Sequence, residues 1–224
     1  MNVDGPPEFL LDAFADPNTV REVVRGILHT IFFMRFFPSI NPSTRDCLGL
    51  ELAYIPDSAI ETLIDQRATS LARQLDAERS SGGGGRGQIT VQFFEKKRRK
   101  TGWFGGDDEV CWESWTIKIT VAEPKTESDR AKVRKATEST LHSTIMKIIT
   151  YVNQQKDHIP PITESNANPF PYRIHIGSGP NNSSHPSHHQ QSLSSQQKAA
   201  AVAGGVGARV DAVAGGWAKK MGIY

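Results

Sequence analysis

The sequence is poor in cysteine, in long apolar runs and in net charge, and each shortage removes a class of protein. Two cysteines, Cys47 and Cys111, are too few for a disulfide scaffold. Neither belongs to a Cys-x-x-Cys pair, which argues against a thiolate zinc site. The longest apolar stretch, Ile27 to Phe37, is interrupted by His29, Thr30 and Arg35. It falls well short of the roughly 20 residues a spanning helix needs. The start, MNVDGPPEF, has neither the basic head nor the apolar core of a signal peptide. The expectation is therefore an intracellular, soluble chain, in which the sequons at Asn181 and Asn182 carry no meaning.

Charge is nearly balanced, with 26 Lys and Arg against 24 Asp and Glu. A net +2 is too small to make the whole chain a nucleic-acid or polyanion binder. It is also unevenly spread. From Gly177 on, Lys198, Arg209, Lys219 and Lys220 outnumber the single acid Asp211, giving +3, so residues 1–176 carry −1. With 38% hydrophobic residues, not all of the chain can be packed core. The body reads as a neutral globular domain and the tail as a different kind of polymer.

Residues 1–18 hold Pro6, Pro7 and Pro17 and read as a loosely ordered lead-in. Val20, Val23, Val24, Ile27, Leu28 and Ile31 then repeat at helical spacing, with Asn18 or Thr19 as the cap. Leu48, Leu50, Leu52 and Tyr54 alternate as in a strand. A second helix opens at Pro56-Asp57-Ser58, where Ser58 to Glu61 fits a capping box. Its buried face is Ile60, Leu63, Ile64, Leu71 and Leu75, and it stops at Ser80-Ser81.

The glycines from Gly82 to Gly85, with Gly87, follow a helix and lack the Gly-Lys-Ser/Thr ending of a phosphate loop, so they read as a linker. Two strands come next, one through Ile89, Val91 and Phe93, the other through Trp115, Ile117, Ile119 and Val121. Each has one apolar and one mostly polar face. A third helix runs from about Glu127 to Gln155, with a capping box at Thr126 and Asp129 and a stripe of Leu141, Ile145, Ile148, Ile149 and Val152. Tyr172 to Ile176 reads as a last strand. Three helices on one mainly antiparallel sheet make an α+β domain. After Ile176 the chain is Gly/Ser/Asn/His/Gln-rich and then Ala/Gly-rich, a composition too poor in apolar area to order itself.

No catalytic signature is visible, whether Gly-x-Ser-x-Gly, His-Glu-x-x-His or a glycine-rich dinucleotide turn after a strand. No cofactor is expected. His185, His188 and His189 could bind a metal only weakly, so the cluster reads as part of a solvated low-complexity segment and no metal site is assigned. His29 and His142 each sit in a helix and read as structural. Asp107, Asp108 and Glu109 lie near Cys111 and oppose a thiolate there.

The informative segment is the hairpin connection Glu95 to Ser114, EKKRRKTGWFGGDDEVCWES. At about 20 residues it exceeds the 2–5 usual for a hairpin. Five basic residues, Lys96 to Lys100, precede Trp103 and Phe104, glycines bracket the two rings, and three acids follow. Attraction between the basic and acidic arms would hold the tip outward. An exposed aromatic pair has the character of a partner-binding anchor; the other reading is that both rings fold back onto the domain. The basic run likewise reads either as a nuclear-localisation or nucleic-acid contact or as a solvated loop partly neutralised by the acids, and the second is preferred.

At this loop the chain resembles a known family. GQITVQFFEKKRRKTGWFGGDDEVCWESWTIKITV is similar to the central segment of the autophagy-related protein 101 family of HORMA-domain proteins. ILHTIFFMRFFPSI, ELAYIPDSAIE, KIITYVNQQKDHIPPIT and NPFPYRIHI resemble further pieces of that family in the same order, so the likeness spans about residues 19–176.

The resemblance implies a HORMA domain over 19–176, after a flexible lead-in at 1–18 and before a mostly disordered tail at 177–224. It implies a non-enzymatic scaffold of the autophagy-initiation kinase complex, acting in the cytoplasm and at the phagophore assembly site. Such a scaffold pairs with and stabilises the HORMA domain of autophagy-related protein 13. The family's recruiting finger for downstream autophagy factors falls on Trp103 and Phe104. In the animal pattern a proline separates the two aromatics, whereas here they are adjacent. The alternative function is a nuclear HORMA-type adaptor or nucleic-acid contact acting through residues 96–100.

Overall fold

The computed structural model describes residues 5–98, 107–162 and 168–178. In chain order the elements are β1 (Glu8–Ala15), α1 (Val20–Met34), β2 (Ser43–Cys47), β3 (Leu50–Tyr54), α2 (Ser58–Ser80), β4 (Arg86–Arg98), β5 (Asp107–Val121), α3 (Glu127–Gln154) and β6 (Tyr172–Ser178). Four strands form a sheet in the order β1-β5-β4-β6, and β2 and β3 form a separate two-stranded ribbon. The pairs β4–β5 and β4–β6 are antiparallel, and β1 joins β5 in parallel. This is the expected α+β arrangement, with three helices on a mainly antiparallel sheet.

The helices cover one face of the sheet. Leu11, Ala13, Ile89, Val91, Phe93, Trp115, Ile117, Ile119 and Ile174 are all buried, at the alternating positions a one-sided sheet requires. Helix α1 turns Val20, Val23, Val24, Ile27, Leu28, Ile31 and Phe32 into the core. The opposite face is more polar, although it also carries Leu10 and Phe14 of β1, and Thr90 and Thr116 hydrogen-bond across it at 3.1 Å.

Residues 8–15 depart from the loose lead-in read from the prolines. Their alternate side chains Leu11, Ala13 and Ala15 enter the core, and the segment pairs with β5 from Glu8↔Ser114 to Ala15↔Val121. Burial of that face outweighs the entropy of ordering the segment.

The single strand read over 48–55 is in fact a hairpin. Cys47 pairs with Leu50, and Leu48 and Gly49 turn the chain with φ of 53° and 82°. Positive φ at both central residues belongs to the type I′ turn, whose twist suits a two-residue hairpin. Asp57, not Ser58, caps α2, its Oδ1 accepting from Ala59 N at 2.9 Å and Ile60 N at 3.0 Å. Thr19 occupies the N-cap of α1, but its hydroxyl donates to the Asp16 carbonyl instead of capping. The capping box at the start of α3 is present as read, between Thr126 and Asp129. Gly82 (φ 81°) ends α2, and the Gly83 amide closes onto the Glu78 carbonyl at 2.8 Å.

Candidate partner-binding site

Strands β4 and β5 continue well beyond their buried halves. Lys96 pairs with Glu109, Lys97 with Asp108 and Arg98 with Asp107 in one antiparallel register. The connection read as about 20 residues is therefore mostly paired strand, and only residues 99–106 join the two ends. Each basic position stands opposite an acid, the arrangement that favours cross-strand pairing. At its described positions 96–98 and 107–109 the ribbon carries three basic residues and three acids.

The base of the ribbon is braced. Register shifts between Phe93 and Phe94, so that Phe93 opposes Glu113 and Phe94 opposes Cys111. Such a bulge bends and twists the strand beyond it. The Phe94 amide donates to the Pro171 carbonyl at 2.8 Å. From β6, the Arg173 guanidinium lies 4.4 Å from the Phe94 ring centre and pairs with Glu109. On the ribbon itself Val110 is exposed, and Lys97 Nζ lies 3.2 Å from Glu95.

Beneath the bulge sits a buried polar centre. Arg35 Nε and Nη2 each lie 2.7 Å from a Glu113 oxygen. The Trp115 indole N–H donates to the same carboxylate, and His158 Nε2 lies 2.7 Å from it. Trp112, the residue between Cys111 and Glu113, packs on Phe93, Phe170 and His158 with ring centres 5.0–5.8 Å apart. Helix α1, strand β5 and the segment after α3 are thus tied together directly below the point where the ribbon leaves the sheet.

Trp103 and Phe104 lie in 99–106, outside the described residues, as do Arg99 and Lys100 of the basic run and the histidines at 185, 188 and 189. The Cys111 thiol is pushed up in pKa, as read, but mainly by its burial. The acids that contribute are Glu8 and Glu113. His29 is buried and His142 exposed. Reading the sequence missed Arg35, Glu113, His158 and Arg173. The signals were an arginine inside an apolar run and a glutamate between two tryptophans in WESW. Among the described residues no helix is long and apolar enough to cross a membrane.

The family model of autophagy-related protein 101 matches residues 12–166. The chain belongs to the autophagy-related protein 101 family. It is 28% identical over 179 residues to autophagy-related protein 101 of Arabidopsis thaliana, covering 71% of this chain and 81% of that one. The human protein of that name is 26% identical over 161 residues, 66% of this chain and 72% of its own. The Schizosaccharomyces pombe protein is 27% identical over 154 residues, 68% and 77%. A chain in a crystal structure of the mitotic checkpoint complex aligns over 75% of this chain and 78% of its own, with a TM-score of 0.45 and 16% identity. The matched span of this family member takes in both arms of the ribbon and the whole of WESW.

Proposed function

We propose that this family member is a non-enzymatic scaffold and adaptor of the autophagy-initiation kinase complex. It pairs with and stabilises the HORMA domain of autophagy-related protein 13 through its own HORMA-type domain at 19–176, extended at its N-terminal end by β1. Trp103 and Phe104, in the chain segment between β4 and β5, recruit downstream autophagy factors, and the protein works in the cytoplasm and at the phagophore assembly site.

The observation that carries this reading is the family match over residues 12–166. The ribbon supports it physically. The described arms, residues 95–98 and 107–110, pair in register above a braced base, which fixes where the 99–106 connection begins and ends. Across residues 96–98 each basic position stands opposite an acid, which weakens the nucleic-acid reading for that part of the run, since such binding depends on unneutralised basic charge.

Co-expression tests the pairing. Binding to the folded state stabilises by mass action. Soluble yield and melting temperature should both rise with the cognate HORMA domain of autophagy-related protein 13. No shift with that partner would end the proposal.

A further inference from the structure

A pocket of about 250 Å³ opens between α1 and the β2–β3 ribbon, away from the β4–β5 arm. Its wall holds a buried polar residue, His29. His29 is 5% exposed, and neither ring nitrogen hydrogen-bonds to any group among the described residues. A buried polar atom without a partner is costly, so such groups normally have one. The ring meets Tyr54 edge-on at 5.6 Å, a contact that leaves both nitrogens unused.

A second orphan donor lines the same pocket. Arg45 Nη2 pairs with Glu61 at 3.0 Å, but Arg45 Nη1 is buried and bonds to nothing among the described residues. The guanidinium is held in place over the Tyr54 ring at 4.5 Å. Arg25 also lines the pocket, 3.2 Å from Asp65. An imidazole N–H, a free guanidinium N–H and a nearby second guanidinium together form a donor set for an oxyanion. Glu22 and Asp46 line it too. They would repel a doubly charged phosphate more than a single carboxylate, and the fork of Arg45 suits a planar acceptor.

We propose that this pocket is a carboxylate-binding site that takes an acidic side chain of a partner protein. The carboxylate accepts from Arg45 Nη1 and from one nitrogen of His29, and Tyr54 packs beside the approaching side chain. This contact is separate from the Trp-Phe loop and stands whether or not that loop recruits anything.

The test follows the His29 ring nitrogens by NMR in the full ¹⁵N-labelled chain. The His29 signal is identified as the one lost in His29→Gln. Sodium acetate, at constant ionic strength set with sodium chloride, should shift that signal saturably. Affinity should fall roughly tenfold in Arg45→Gln and severalfold in Arg45→Lys, which keeps the charge but loses the fork. The peptide acetyl-Gly-Glu-Gly-amide should reproduce the shift, and its Gln counterpart should not. Inorganic phosphate should bind more weakly than acetate. No saturable shift, equal affinity in both Arg45 variants and the parent, an equal response to the Gln peptide, or tighter binding of phosphate would each overturn the proposal.

Discussion

Arg35 and Glu113 form a two-pronged ion pair inside the core, with side chains 2% and 0% exposed. They lie 78 positions apart in sequence, on the end of α1 and on β5. A charge placed there is tolerated because its partners are in place. The carboxylate meets Arg35, the Trp115 N–H and His158, leaving little of its hydrogen-bonding capacity unused.

Breaking that pair from one side should therefore be severe. Glu113→Ala leaves the Arg35 guanidinium buried and uncompensated, at a cost of roughly 3–5 kcal/mol. Arg35→Met with Glu113→Leu removes both charges and should recover part of that loss, since the buried unpaired guanidinium is gone while the Trp115 N–H and His158 still lack their acceptor. Urea unfolding of the two variants checks this. A double variant no more stable than Glu113→Ala would contradict it.

Much of the core was legible in the sequence because its signals are local. The stripe from Val20 to Ile31, the alternation around Trp115 and the Thr126–Asp129 box each depend on residues a few positions apart. What escaped reading depends on distant partners. Glu8–Ala15 has Leu10 and Phe14 on its outer side, which blurs the alternation, and its pairing partner lies about 100 residues away. In the β2–β3 hairpin the turn uses Leu48, a residue that seldom adopts positive φ, so Gly49 was the only cue. The ribbon looked like a loop because Lys and Arg are poor strand formers. Their opposite-charge partners across the pair offset that, and pairing is not visible from one strand alone.

His29 should make stability depend on pH. Its imidazole pKa is pushed down to about 4, chiefly by burial and then by Arg45 and Arg25, against weaker opposition from Glu61 and Asp65. In the unfolded chain it titrates near 6.5. As pH falls, the unfolded state binds the proton first. The stability is therefore complete above about pH 6.5 and is lost as pH falls towards 4, by about 3 kcal/mol in all. Compared with His29→Gln, the parent chain should lose an extra ~2 kcal/mol between about pH 7 and pH 4.5. Parallel urea-unfolding profiles for the two proteins would rule the effect out.

At Gly26, α1 packs closely against the β2–β3 ribbon. A Cβ placed there would lie 2.7 Å from Cys47 Sγ and 3.3 Å from Leu52 Cδ1. Overpacking typically costs about 1–3 kcal/mol, and replacing a helical glycine with alanine returns at most about 1 kcal/mol. Gly26→Ala should thus lower stability by about 1 kcal/mol. In a Cys47→Ala background the closest clash is gone, and the same change should become neutral or slightly stabilising. Additive effects of the two substitutions in thermal unfolding would show that this contact is not the cause.

The decisive experiment on function concerns Trp103 and Phe104. If the pair is a recruiting anchor, both rings are available to a partner, and replacing them with Ala should alter folding by no more than about 0.5 kcal/mol. Losing an aromatic hot spot costs roughly 2–4 kcal/mol of binding, or about 30- to 1000-fold in affinity. If instead the rings pack into the domain, the same substitution removes buried aromatic area and costs roughly 3–5 kcal/mol of stability. The two readings thus predict opposite pairs of results. On the recruiting reading, Trp103→Ala with Phe104→Ala keeps its melting temperature and still co-purifies with the HORMA domain of autophagy-related protein 13. In cells the same variant fails to support autophagosome formation. Because the two rings are adjacent along the backbone, with no proline between them, the single variants should be unequal, one carrying most of the loss. A drop of several degrees in melting temperature, or normal autophagic flux with the double variant, would move the recruiting surface away from this loop.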